Sequence, residues 1–206
     1  MIAIINYGMG NLGSIANMFK KIGAAAIITS DPVAIEKADK LVLPGVGAFD
    51  AGMRNLQERK LIPLLNQKVL VEKTPLVGLC LGMQLLTKES EEGSLAGLGW
   101  IDAKTVKFKF DVVGTSLKIP HMGWNTVKPC QQNPLFTGLD AEARFYHVHS
   151  YHVVCSDAGA NAIAETEYGY AFVSAIARDN ILGVQFHPEK SHKFGMRLLS
   201  NFVEFF

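Results

Sequence analysis

Hydrophobic and polar positions change their period several times along the chain, and each change marks an element. Ile2–Ile5 is a short apolar run that predicts a buried strand. Leu12, Ile15, Met18, Phe19 and Ile22 then recur at helical spacing, which predicts a helix over residues 11–21 with Asn11 as its N-cap. Ala26–Thr29 reads as a second strand. Asp31-Pro32 opens a short helix, with aspartate as cap and proline at the first helical position. Residues 41–43 form a third strand that breaks at Pro44-Gly45-Val46-Gly47. Residues 49–59 are helical, and residues 61–71 continue the helical layer. Leu76–Leu79 is a buried strand followed at once by a helix from Gly82.

Strands separated by helices imply a parallel sheet covered on both faces. The second half is richer in strands, over residues 100–108, 144–148, 151–155, 162–166, 172–177 and 181–186. The last flows into a final helix over residues 191–205, with Phe194, Leu198, Leu199 and Phe202 on one face. No internal repeat or long linker interrupts the chain, so residues 1–206 are expected to form one domain.

Composition narrows the class. Half of the 206 residues are apolar and the formal net charge is +1, so no electrostatic footprint favours nucleic acid or an anionic membrane as partner. The apolar start at Met1 stops at Asn6-Tyr7-Gly8, too short for a signal segment, and no apolar stretch reaches membrane-spanning length. Three cysteines, Cys80, Cys130 and Cys155, show no metal-type spacing and make a disulfide framework unattractive. A reducing, cytoplasmic location is the expectation.

Three segments carry candidate chemistry. Gly78-Leu79-Cys80-Leu81-Gly82 lies between a strand and a helix, the setting of a nucleophile elbow. A sharp turn there strains the nucleophile's backbone and needs small residues two positions to either side. The helix start would favour a thiolate. A buried structural cysteine between strand glycines is the competing reading. Gly183-Val184-Gln185-Phe186-His187-Pro188-Glu189 closes an apolar strand, where catalytic groups gather in open α/β sheets. In extended backbone, residues two apart face the same side, so Glu189 could orient His187 as a base. A solvated histidine and glutamate would look the same in isolation. Pro44-Gly45-Val46-Gly47 follows another strand end, and its amides could serve an oxyanion together with Leu81 N–H; an ordinary strand–helix loop explains the same residues.

Together these segments resemble the class I, triad-type glutamine amidotransferases. The chain is more narrowly similar to the glutaminase subunits of imidazole glycerol phosphate synthase, on residues 6–11 (NYGMGN), 120–125 (PHMGWN) and 147–151 (HVHSY). The resemblance runs from end to end. It implies a flavodoxin-like α/β fold: a mostly parallel central sheet flanked by helices, with additional antiparallel strands. It implies Cys80 as nucleophile, His187 as acid/base and Glu189 as its orienter, with Val46, Gly47 and Leu81 at the oxyanion. Gly47, Gln84, His149, Ser150 and Tyr151 match the glutamine pocket. Tyr7, Asn11, Met122, Trp124, Asn125, Tyr146 and Lys190 match the partner interface.

The resemblance further implies that the loop peptide at Val46 must reorient before its N–H meets the oxyanion. The implied partner is a (β/α)₈ cyclase bound as a heterodimer, which would use the ammonia for imidazole glycerol phosphate in histidine biosynthesis. No metal or organic cofactor is implied. His121 and His147 are expected to be ordinary loop or strand histidines, and Cys130 and Cys155 structural.

Two departures bear on the partner. Asn6 stands where aspartate is expected, and His192-Lys193 replaces a glutamine or another small set. A paralogous subunit feeding ammonia to an acetamidino-sugar amidotransferase of surface polysaccharide is therefore the main alternative. A γ-glutamyl hydrolase or a cysteine peptidase on a similar fold is a rival that Gln84 and the HSY segment oppose. An idle docking scaffold is opposed by the complete set of three catalytic residue types.

Overall fold

A computed structural model describes residues 1–110, 117–156 and 159–206. The first half alternates strand and helix: β1 (Ile2–Ile5), α1 (Leu12–Lys21), β2 (Ala26–Thr29), α2 (Pro32–Glu36), β3 (Lys40–Leu43), α3 (Phe49–Glu58), α4 (Leu61–Asn66), β4 (Leu76–Leu79) and α5 (Leu81–Leu85). There follow β5 (Glu89–Ser90), β6 (Ala103–Lys107), β7 (His121–Thr126), β8 (Lys128–Pro129), β9 (Arg144–His149), β10 (Tyr151–Cys155), β11 (Ala162–Tyr168), β12 (Tyr170–Arg178), β13 (Ile181–Val184) and α6 (His192–Phe205).

The main sheet runs β2-β1-β3-β4-β13-β12-β10-β6-β5. Its first five strands are mutually parallel. β12, β10 and β6 continue it antiparallel, and β11 pairs with β12 and β8. β7 and β9 form a separate antiparallel pair.

Strand alternation divides the core. Ala3, Ile5, Leu41, Leu43 and Leu76 face α2 to α5, with Phe49, Leu56 and Leu65. Ile2, Ile4, Val42, Val77 and Leu79 face α1 and α6, with Phe19, Leu198 and Phe202. A sheet covered on both faces reads as unbroken apolar runs, which is why β1, β3 and β4 are legible. The parallel strands all point their C-terminal ends to one edge. Pro44, Cys80 and Gln185 follow the ends of β3, β4 and β13 there, so the candidate chemistry is gathered by topology.

Some expectations shift. The strand expected over 100–108 is shorter, because Trp100 and Ile101 are buried ahead of it in loop conformation. The helical stretch after Leu61 ends as a π turn over Gln67–Val71. Asn11 sits at the cap position of α1 but its side chain makes no cap bond, whereas Asp31 accepts from Val33 N at 3.1 Å. β5, β7 and β8 were not expected. β7 escaped because its pattern is inverted: His121 is buried while Met122 and Trp124 face outward. Among the described residues no helix is long and apolar enough to cross a membrane.

Candidate active site

Cys80 occupies a sharp turn between β4 and α5, with φ 53° and ψ −108°. That left-handed conformation is strained for a residue with a side chain. The turn packs so tightly that a Cβ on Gly82 would lie 1.9 Å from Leu43 O, and one on Gly78 would lie 2.7 Å from Gly82 O. Both glycines are therefore steric requirements of the elbow. Cys80 N–H donates to Val184 O at 2.8 Å, which ties the turn to β13.

The chain leaving β13 delivers His187. Its N–H donates to Tyr146 O at 2.9 Å, and its carbonyl accepts from Ser191 Oγ at 2.6 Å. His187 Nδ1 meets Glu189 Oε1 at 2.8 Å, and both side chains are almost fully buried. The reason for this pairing differs from the sequence argument. Glu189 lies in a 3₁₀ turn, Pro188–Lys190, so the turn rather than an extended strand folds the carboxylate back onto the ring.

Burial opposes a charged His187, but the neighbouring Cys80 and Glu189 outweigh it and raise its pKa to about 10. Nε2 makes no well-formed hydrogen bond to any described residue, so the face of the ring not held by Glu189 is left for the thiol and a substrate.

Pro44-Gly45-Val46-Gly47 passes in front of the elbow. Tyr7 Oη donates to Pro44 O at 2.5 Å, and Gly47 has φ +125°. Leu81 N–H, one expected oxyanion donor, donates to Gly45 O at 3.3 Å. It is thus engaged by the loop. Turning the Gly45–Val46 peptide over would free Leu81 N–H and bring Val46 N–H toward the same side. Val46 is half exposed and has room to move.

A cavity of about 240 Å³ opens onto Cys80. Val46, Gly47, Leu81, Gln84, His149, Ser150 and Tyr151 all line it, as do Glu92, Pro120 and Val148. Glu92 was missed because Glu91-Glu92 reads as a solvated charge pair in sequence. Its Oε2 accepts from Phe49 N at 2.9 Å, which aims a carboxylate into the cavity wall. Gln84 Nε2 is committed to Tyr151 O and Gln185 Oε1, so only its own oxygen remains for a ligand.

The family model for "Glutamine amidotransferase class-I" matches residues 3–205. The chain is 62% identical over 204 residues to "Imidazole glycerol phosphate synthase subunit HisH 2" of Methanococcus maripaludis, covering 99% of both chains. It is 48% identical to the subunit of the same name in Pseudomonas aeruginosa, again over 99% of both. The chain belongs to the HisH family of class-I glutamine amidotransferases.

Solved structures agree on the fold. A putative GMP synthase component from Thermoplasma acidophilum superposes with TM-score 0.71 at 19% identity, covering 98% of this chain and 92% of that one. PurLQS of Thermotoga maritima gives TM-score 0.73 at 14% identity, covering 99% and 97%.

Beside the amidotransferase pocket stand three buried histidines. One ring nitrogen from each of His121, His147 and His149 lies within 4.8 Å of the others, close enough to share a cation. The hydrogen bonds of His121 and His149 fit neutral rings instead, and His147 Nδ1 also lies 3.1 Å from His149 Nε2. Asn125 Oδ1 accepts from Thr126 N and its Nδ2 donates to Glu167 O, both at 2.8 Å, so nitrogen faces His121 Nε2 at 3.2 Å. That ring atom must accept, which puts the His121 proton on Nδ1, facing His149 Nε2 at 3.3 Å. His149 Nδ1 in turn donates to Tyr151 O at 2.8 Å. A cation at His121 Nδ1 would displace this proton and set two donors against each other at Asn125.

Burial lowers the pKa of His121 to about 4, that of His149 to about 3, and that of His147 well below the ordinary 6.5. Below pH 6.5 the unfolded chain therefore binds protons that the fold refuses, so each of these histidines makes stability fall as pH falls. His187 has the opposite sign: its contribution is complete below 6.5 and fades as pH rises through about 10. Urea titrations should show a steep loss of stability between about pH 6.5 and 4, made shallower by His121→Gln. A flat profile over that interval would contradict neutral buried rings.

The outer face of β7 carries Met122 and Trp124, two of the residues matched to a partner interface. Met122 is 62% and Trp124 44% exposed. Lys190 Nζ lies 5.4 Å from the Tyr146 ring centroid, and Trp124 meets the same ring edge-on. Asn11 is also exposed. Tyr7 is fully buried beneath the loop in the isolated chain, with its hydroxyl donating to Pro44 O. Asn125 turns its amide inward onto His121 and Glu167.

Proposed function

We propose that this chain hydrolyses L-glutamine to glutamate and ammonia through Cys80, His187 and Glu189, and passes the ammonia to a (β/α)₈ cyclase for imidazole glycerol phosphate synthesis in histidine biosynthesis. The observation that carries the reading is the strained Cys80 at the mouth of a glutamine-sized cavity, backed by a histidine that a buried glutamate orients. Residues 1–206 act as one domain, in the cytoplasm, as one half of a heterodimer.

In this reading Cys80 sulfur attacks the amide carbon. Val46 and Leu81 amides hold the oxyanion once the loop has turned, with Gly47 giving the loop its room. His187 gives its proton to the departing nitrogen as the C–N bond breaks, releasing ammonia. Having given up that proton, His187 is left as a neutral ring. That ring takes a proton from water, whose oxygen attacks the thioester; the C–S bond breaks and glutamate leaves. Glu92 suits the substrate ammonium, while Gln84 oxygen and the wall at His149, Ser150 and Tyr151 suit its remaining polar groups.

Glu189→Gln tests the triad. The amide fills the same space but stabilises imidazolium poorly, so kcat should fall roughly 10²-fold or more with an unchanged melting temperature. Unchanged kcat would leave Glu189 a structural residue.

A second reading, a paralogue serving acetamidino-sugar synthesis, is favoured by one local observation. His192 stacks on Trp124 with centroids 5.4 Å apart and 5° between planes, so a departure from the expected sequence lies on the face offered to the partner. Relatives numbered "HisH 2" and "HisH 1" fit organisms that keep more than one such subunit.

A further inference from the structure

Gln185 lies between β13 and His187 and is fully buried. Nothing in the steps above uses it. A buried amide needs partners, and its two ends differ only in what they donate and accept. Here the orientation is anchored on main chain. Tyr151 O can only accept, and Gln84 Nε2 lies 3.3 Å from it. That assigns the Gln84 nitrogen. The same nitrogen meets Gln185 at 3.0 Å, so Gln185 must offer oxygen to it. The Gln185 nitrogen is left pointing at Cys80 Sγ, 3.8 Å away. His149 Nδ1, also on Tyr151 O at 2.8 Å, holds the anchor in place.

We propose that Gln185 is a further catalytic residue, donating an N–H to Cys80 sulfur and so favouring the thiolate, with Gln84 and the Tyr151 carbonyl as the group that orients it. The donor serves twice. It stabilises negative sulfur before attack, and again when the thioester breaks and sulfur leaves. The same side chain couples sulfur to a glutamine of the pocket wall, so substrate contact at Gln84 is felt at the nucleophile.

This rests on the reading of Cys80 as nucleophile, and the test separates the two. Iodoacetamide alkylation of Cys80 in the full chain is followed by mass spectrometry, alongside glutaminase kinetics. In wild type, alkylation of Cys80 must abolish hydrolysis; if it does not, the nucleophile reading itself fails. Gln185→Met keeps length and burial but removes the donor. We expect alkylation about fivefold slower at about pH 7, equal to wild type at about pH 10 where any thiol ionises, and kcat reduced about fivefold or more with KM nearly unchanged. An unchanged rate near pH 7, or a deficit that persists near pH 10, would overturn the proposal, the second because it signals repacking alone. Should the methionine variant not fold, Gln185→Glu keeps the acceptor toward Gln84 and sets a carboxylate against sulfur. It should slow alkylation near pH 7 still further, and a wild-type rate there would overturn the proposal equally.

Discussion

Replacing Cys80 with alanine is expected to lower glutamine hydrolysis by about 10³-fold or more while ammonia-dependent synthesis by the complex continues. The elbow should survive the change, because its shape comes from Gly78, Gly82 and the Cys80 N–H bond to Val184 O, none of which involves sulfur. Glutamine hydrolysis and ammonia use are then separable in one preparation. The measurement is glutamate release with glutamine, beside product formation with an ammonium salt, each in the presence of the cyclase. Wild-type glutamate release by Cys80→Ala would remove the triad. Loss of the ammonia-dependent rate would mean that Cys80 also supports the partner.

The isolated chain is expected to be a poor glutaminase that its cognate barrel, with nucleotide bound, activates about a hundredfold. Gly45 O accepts from Leu81 N–H, so the oxyanion donor proposed above would stay engaged until the peptide turns. If the turned loop is populated about 1% of the time, turnover falls about a hundredfold, and differential binding of roughly 3 kcal/mol restores it. The loop is held from two sides: Met9 packs against Gly47, and Tyr7 holds Pro44 from beneath. Assays of the chain alone and with candidate barrel proteins, each with and without ligand, decide it. Full activity in isolation would sink the gating idea. Activation by a histidine-pathway cyclase, and not by a surface-sugar paralogue, supports imidazole glycerol phosphate synthesis; the reverse selects the alternative.

What could be read from sequence follows a physical divide. Gly78 and Gly82 were legible because the elbow leaves no space for a Cβ, so the constraint is written in residue type. The doubly covered strands were legible because both of their faces are apolar. β7 was not, since its large apolar side chains point to solvent and its histidine points inward, which defeats the usual pattern. Tyr7 was placed at the interface by its neighbours in sequence, yet the turn at Gly8 lets it fold inward. Glu189 was paired with His187 for the wrong backbone reason, because a proline at the first turn position closes a 3₁₀ turn. Glu92 was not singled out, and Gln185 stood inside the His187 motif without being given a role. A single polar residue acquires a role only from what stands opposite it, and their partners lie 43 and 105 residues away.

The most direct test of the central claim follows the amide nitrogen. The chain and its cyclase are given glutamine labelled with ¹⁵N at the side-chain amide, in the presence of excess unlabelled ammonium, and the imidazole product is weighed. The account predicts that ¹⁵N enters the product largely undiluted and that Cys80→Ala removes the label. Glutamine left intact, or a product carrying only unlabelled nitrogen, would contradict it.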